Sequence, residues 1–172
     1  ADSADSACIV VGVYEQGVLS NAAERVDHAT GGLIRHQLES GDITGKAGSC
    51  SVLFAPTGVS AKRVLVVGLG VQKSFDGARF QKVNHEAARA LGRLPLTEAV
   101  SYLTEVEVPG RDAGWRARVA ALASDFAAYR YTATFKPRDK TKPPELAALA
   151  FAGGTDAQAS LDQASAIAEG VR

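Results

Sequence analysis

The chain has 172 residues and a mass of 17.9 kDa, the size of one globular domain. Its 19 lysines and arginines balance 19 aspartates and glutamates, so the formal net charge is zero. This balance argues against a dedicated nucleic-acid-binding or membrane-surface protein, because such proteins are clearly basic. The 46% hydrophobic content excludes a disordered protein, and the longest apolar run, at 146–152, is far shorter than the ~20 residues that cross a bilayer. The acidic, polar start of the sequence is unlike a secretion signal.

The first predicted elements are a strand and a helix. The strand is residues 8–13 (CIVVGV), a continuous apolar run. The helix opens at Asn21, which we expect to be its N-cap, because Asn21 and Glu24 resemble a capping box. The pair Gly31-Gly32 falls inside the helical pattern, so either the helix breaks there or a neighbouring backbone packs closely. One face of this helix carries Ala22, Val26, Ala29 and Leu33.

The middle of the chain predicts three further strands and one helix. The strands are residues 51–55 (SVLFA), 63–67 (RVLVV) and 99–103 (AVSYL). Between the second and third of these, a helix runs from about Arg79 to Leu91 with an apolar face. Residues 105–108 (EVEV) alternate in polarity, which predicts an edge strand or a half-buried extension of the sheet.

The last part predicts two helices around one strand. A helix begins after Asp112, the strand is residues 146–152 (LAALAFA), and the final helix begins at Thr155. Residues 135–144 contain three prolines and four basic residues, which is typical of an exposed connection. Strands that alternate with helices predict an α/β fold in three layers, with a mostly parallel sheet covered by helices on both faces.

Three glycine-rich segments are candidates for phosphate binding. Gly68-Leu69-Gly70 follows a predicted strand, which is where a phosphate-binding turn would lie. However, Lys73 stands where the dinucleotide-binding motif has its third glycine. The preferred interpretation is therefore a simple reversal of the chain. Residues 41–46 (GDITGK) have the wrong spacing for a P-loop. Gly153-Gly154-Thr155 could present amides to an anion, although a tight turn between strand and helix is preferred.

No catalytic, cofactor-binding or metal-binding residue can be assigned from these patterns. The histidines His28, His36 and His85 lack metal-ligand spacing and are expected to be surface or half-buried residues. The two cysteines, Cys8 and Cys50, are too few for a disulfide framework, and we expect buried, reduced thiols of a cytosolic protein. Cys50 also has no recognisable catalytic partner.

Several segments together resemble the amino-terminal domain of the leucyl (cytosol) aminopeptidases. Residues 19–32 and 41–48 are similar to the front of that family, and the strand ending in Gly68-Leu69-Gly70 is similar to its "lvvGlG" strand. Residues 129–136 resemble its tyrosine-containing linker, although the order of residues there departs from the family pattern. The resemblance covers about residues 8–172 and rests on the order of the motifs.

The resemblance implies a macro-like domain at 1–154 and a helix at 155–172 that leads to a catalytic domain. Members of this family are cytoplasmic homohexamers that release amino-terminal residues, leucine preferred, from peptides with two divalent metal ions, manganese or zinc. The family's metal-binding motif NTDAEGR is not in this sequence; Ala168-Glu169-Gly170 is a coincidental echo. The resemblance therefore implies a non-catalytic segment that packs on its own catalytic domain and on identical subunits.

Two alternatives stay open at this point. The chain could be a stand-alone macro-like module that binds ADP-ribose or another nucleotide, with Gly68-Leu69-Gly70 and Gly153-Gly154 as phosphate loops. It could also have an accessory DNA-binding role through the basic residues at 136–142, against which the zero net charge argues.

Overall fold

A five-stranded sheet forms the centre of the computed structural model, which describes residues 6–128 and 146–153. The strands lie in the order β2-β3-β1-β4-β5, and every neighbouring pair is parallel except β2 and β3. In register, Ile9 of β1 lies opposite Val64 of β3 and Val100 of β4. Both faces of the central strands are covered, which explains why β1 and β3 are nearly continuous apolar runs. The strands are β1 (Ile9–Tyr14), β2 (Cys50–Phe54), β3 (Arg63–Gly70), β4 (Glu98–Ser101) and β5 (Ala148–Phe151).

Helices cover the two faces of the sheet, as predicted. The face towards α3 and α4 buries a cluster that includes Val10, Leu65, Val67, Phe80, Val83 and Leu91. The opposite face, towards α1 and α2, buries Ile9, Val11, Val26, Ile34, Val64 and Val66. Alternate residues of β1 therefore belong to different layers of the core. The helices are α1 (Asn21–Ala29), α2 (Leu33–Ser40), α3 (Gly77–Leu91) and α4 (Ala113–Ala128).

The first predicted helix is two helices with a break at Gly31-Gly32. Both glycines have left-handed backbones, with φ of 70° and 89°, and no atom lies within 4 Å of the position of an added Cβ. A break, not close packing, is therefore the reason for the pair. The predicted cap was wrong by one residue. The Ser20 hydroxyl accepts the Ala23 N–H at 3.3 Å, so Asn21 is the first helical residue.

The predicted strand at 105–108 is wrong. The chain instead forms a 3-10 turn (Leu103–Glu105) and then a tight turn in which the Arg111 N–H donates to the Val108 carbonyl at 3.0 Å. Val106 and Val108 are buried in the core beside α3 and α4, at 6% and 4% exposure. The alternating pattern therefore arises because Val106 and Val108 are buried and hold the loop against the core, not because the segment pairs as a strand.

Several predictions lie outside the described residues. These are the helix from Thr155, the basic proline-rich connection at 135–144, the linker motif at 129–136 and the domain boundary between 154 and 155. In the part that the structure does describe, no helix is both long and apolar enough to cross a membrane.

Candidate functional site

Gly68-Leu69-Gly70 lies inside β3 and forms no turn, so the preferred interpretation as a chain reversal is wrong. A loop at 44–49 packs against this end of the strand. The Gly68 N–H donates to the Ser49 carbonyl at 2.8 Å, and the Gly70 N–H donates to the Gly45 carbonyl at 2.7 Å. An added Cβ on Gly68 would lie 2.1 Å from the Lys46 carbonyl oxygen. The amides that could have cradled a phosphate are thus bonded to the chain itself.

The segment at 41–46, which fails as a P-loop, belongs to this covering loop. Ile43 is buried at 3% exposure, and its N–H donates to the Gln37 carbonyl at 3.0 Å. The Ser49 hydroxyl donates to the Thr44 carbonyl at 2.7 Å and closes the loop on itself. The segment fills the carboxyl end of β3. At the third glycine site, Gly153 is exposed, and Gly154 and Thr155 lie outside the described residues.

The predicted histidines do not meet. His28 on α1 and His36 on α2 are exposed, and His85 on α3 is half-buried on the other side of the sheet. Within residues 6–128 and 146–153, no three His, Cys, Asp or Glu side chains lie close enough together to hold a metal ion.

Both cysteines are free thiols; Cys8 is buried as expected, whereas Cys50 is only half-buried. Burial raises the pKa of the Cys8 thiol to about 11. Burial, with a contribution from the nearby Glu86 carboxylate, raises the pKa of the Cys50 thiol to about 11 as well. Since the thiolate is the nucleophile, neither side chain is poised for covalent catalysis at neutral pH.

A buried carboxylate that the sequence patterns did not reveal joins α1 to α2. Asp27 is 1% exposed, and it accepts the Arg35 backbone N–H at 3.0 Å and the Arg35 guanidinium at 2.8 Å. The pair spans the break at Gly31-Gly32. Its position between two helices assigns it a structural role.

The carboxyl edge of the sheet has an open cleft of about 560 Å³. The chain leaves β1 towards β3 and leaves β4 towards β5, so the winding direction reverses between β1 and β4. In α/β sheets, ligands bind beyond the carboxyl ends of the strands at such a reversal. We call this site the edge cleft; its lining includes Tyr14, Gln72, Phe75, Glu107, Arg111 and Arg116.

Aromatic rings form the inner wall of the edge cleft. Tyr14 is 7% exposed, and its ring meets Phe75 edge-on with the centroids 5.6 Å apart. Burial, and to a smaller extent the Glu107 carboxylate, raises the pKa of the Tyr14 hydroxyl. The hydroxyl is therefore protonated at neutral pH and can donate a hydrogen bond.

Two arginines give the edge cleft its positive charge. The Arg111 guanidinium lies 4.8 Å from the Trp115 ring centroid. Arg116 donates through Nη1 to the Val106 carbonyl at 3.3 Å, while its Nε is buried without a partner. The arrangement can bind an anion, but it contains no activated nucleophile. Sequence patterns missed it because its residues come from the end of β1, the separate loops after β3 and β4, and α4. The available signal was that β1, β3 and β4 are adjacent parallel strands.

Comparison with known sequences identifies a family signal over most of the chain. The sequence profile described as cytosol aminopeptidase family, N-terminal domain, matches residues 10–136. A probable cytosol aminopeptidase of Xylella fastidiosa (strain M12) is 42% identical over 165 residues, and one of Stenotrophomonas maltophilia (strain K279a) is 44% identical over 164 residues. Each match covers 95% of this chain and 33% of the relative. The chain thus spans about a third of the length of the curated relatives it matches.

Solved structures share the fold at low sequence identity. A tomato leucine aminopeptidase variant superposes with a TM-score of 0.67 at 17% identity, covering 95% of this chain and 33% of that chain. The bottromycin maturation enzyme BotP, in complex with Mn, gives 0.65 at 20% identity, covering 95% and 30%. The macrodomain of Mycobacterium tuberculosis DarG gives 0.61 at 12% identity, covering 88% and 91%. These likenesses concern the fold alone and confirm the predicted macro-like α/β architecture.

Proposed function

Because this chain belongs to the cytosol aminopeptidase family and matches its N-terminal domain, we propose that it is the non-catalytic N-terminal domain of a cytosolic metallo-aminopeptidase. The whole enzyme would release amino-terminal residues, leucine preferred, from peptides. The observation that carries this proposal is the match to probable cytosol aminopeptidases over 95% of this chain but only 33% of their length.

The metal chemistry is assigned to the rest of the enzyme. Two divalent ions, manganese or zinc, would activate a water molecule and polarise the scissile carbonyl. Residues 6–128 and 146–153 of this chain do not fit such ions, since they bring no three potential ligands together. The solved complex of BotP with Mn, a protein of similar fold, supports metal use in the whole enzyme.

This domain would serve assembly, by packing on its own catalytic domain and on identical subunits of a homohexamer. Exposed apolar side chains support that role. Phe54 at the end of edge strand β2 is 68% exposed, Val71 after β3 is 45% exposed, and Val18 is 40% exposed. Burying such side chains against another surface is favourable by about 25 cal/mol per Å² of apolar area.

Hydrolysis of a leucyl amide by the full-length protein tests the activity. We expect turnover with added manganese, loss of turnover after chelation, and recovery when manganese or zinc is restored. Light scattering on the same sample should give a mass several times that of one full-length chain. A full-length protein that hydrolyses no leucyl amide under these conditions would refute the peptidase assignment, and a strictly monomeric active enzyme would refute the assembly role.

Neither alternative function gains support from the segments on which it was predicted to rest. A nucleotide-binding module would need free amides at Gly68-Leu69-Gly70, and both glycine N–H groups there are bonded to the 44–49 loop. A DNA-binding role would rest on residues 136–142, which lie outside the described part of the chain.

A further inference from the structure

We propose that the edge cleft is a binding site for a small organic anion, in which a carboxylate or phosphate group of the ligand contacts Arg111 and Arg116. Every residue that carries this proposal belongs to this domain, and none is assigned a role in the peptidase chemistry. The proposed anion site and the proposed aminopeptidase function can therefore be tested independently of each other.

The first argument is the placement of two guanidinium groups without a carboxylate partner in the described structure. Arg111 makes no ion pair there, and its guanidinium carbon lies over the Trp115 ring, 4.8 Å from the ring centroid. Stacking on a ring fixes the orientation of a guanidinium while its N–H edges stay available. Such a group is preorganised to bind an oxyanion with two parallel hydrogen bonds.

The second argument is the buried donor of Arg116. Its Nη1 is anchored on the Val106 carbonyl, and its Nε is shielded from solvent but has no hydrogen-bond partner. Buried donors in folded proteins nearly always have a partner, and a charged donor more so than a neutral one. A ligand oxygen in the edge cleft would satisfy this Nε once the Arg116 side chain turns Nε towards the cleft.

The charges that face the edge cleft favour an anion. Glu107 is exposed at the rim, whereas Asp112, which caps α4 by accepting the Trp115 N–H at 2.7 Å, is not among the residues that line the cleft. The two arginines outweigh the single rim carboxylate. The protonated Tyr14 hydroxyl and the Gln72 side chain add neutral polar groups.

The size and lining of the edge cleft indicate a ligand with a compact apolar body. A volume of about 560 Å³ lies within the usual ~300–1,000 Å³ of small-molecule sites. Phe75 and Val108 are buried apolar residues of the lining, at 4% exposure each, against which such a body would pack. The ligand class is therefore an organic acid or a phosphate ester, with the oxyanion at the arginines.

Calorimetric titration of the full-length protein tests this proposal, with benzoate as the carboxylate probe and inorganic phosphate as the phosphate probe. We expect saturable binding of at least one probe, with one site per chain. Saturation by benzoate alone identifies a carboxylate ligand, and saturation by phosphate alone identifies a phosphate ligand. No saturable heat from either probe in the millimolar range would overturn the proposal.

Matched substitutions separate a built site from general charge attraction. Arg111→Ala and Arg116→Gln should each weaken binding by about tenfold or more, because each removes a charge-assisted hydrogen bond. Arg89→Gln removes the same charge from the exposed surface of α3 and should leave binding unchanged. Equal weakening by Arg89→Gln would overturn the proposal. If Arg116→Gln fails to fold, the exposed Arg111 still provides the test.

Discussion

Replacing Gly68 with alanine distinguishes a covered strand end from a phosphate-binding loop. The added Cβ would lie 2.1 Å from the Lys46 carbonyl oxygen and 2.3 Å from Ser49 Oγ, so the 44–49 loop must move. Movement breaks three backbone hydrogen bonds of 2.7–2.8 Å, which are Gly68 N–H to Ser49, Gly48 N–H to Gly68, and Gly70 N–H to Gly45. At about 1 kcal/mol each, the local loss is about 3 kcal/mol.

Hydrogen exchange in the full-length protein measures this loss locally, without assuming two-state unfolding of a multidomain chain. A loss of about 3 kcal/mol corresponds to a decrease of about 100-fold in amide protection over residues 44–50 and 68–70. Gly92→Ala is the matched control, because Gly92 has a helical φ of −64° and its added Cβ would meet Ala88 at an ordinary 3.5 Å. Unchanged protection in the Gly68 variant would refute the reasoning that this loop is locked onto β3.

Four further predictions concern the core and surface of the domain. Asp27→Ala should lower the free energy of unfolding of the α1–α2 pair by about 2–3 kcal/mol, and Asp27→Asn by about half as much. The lost hydrogen bonds are charge-assisted, but Arg35 is half exposed and can be rehydrated, which limits the loss. Hydrogen-exchange rates in α2 measure this loss, and unchanged rates would contradict the prediction. Cys8 and Cys50 should resist iodoacetamide in the native protein at pH 7 and react faster as the pH approaches about 11, as mass spectrometry can follow. Because unfolded thiols lose their protons near pH 9, at lower pH than the folded ones, these two thiols should also make stability fall between about pH 9 and 11. Phe54→Asp should change the melting temperature by no more than about 2 °C relative to the unsubstituted protein, because the side chain is exposed. The same substitution should shift the full-length protein towards smaller assemblies in light scattering. An unchanged mass would exclude Phe54 from the interface between subunits.

The sheet and its helices could be predicted because buried faces require apolar residues at regular spacing along the sequence. Strands β1 and β3 lie between two helical layers, so both of their faces must be apolar, and the sequence shows continuous runs there. The buried face of α3 repeats at helical spacing through Phe80, Val83 and Leu91. The family assignment, which rests on the order of several weak motifs, is confirmed by the profile match over residues 10–136 and by relatives that are 42–44% identical.

The errors arose where one local pattern fits two structures. Val106 and Val108 alternate as a strand would, yet they anchor a loop in the core. Gly68 and Gly70 follow the apolar run as a turn would, yet they continue β3 because the 44–49 loop needs room beside them. In each case the deciding contact comes from a segment that is distant along the chain, and local spacing does not contain that information.

The edge cleft could not be predicted for a related reason, since its residues are distant along the chain. Its position follows from a difference between the two sides of the carboxyl edge of the sheet. On the β3 side, the 44–49 loop occupies the backbone amides and fills the space that a phosphate would need. On the side where β1 meets β4, the turn near Val108 closes on itself through Arg111 and leaves space above Tyr14. The reversal of winding separates the connections at this point and leaves an opening between them. Tyr14, Arg111 and Arg116 are among the side chains that line it, and their chemistry favours an anion.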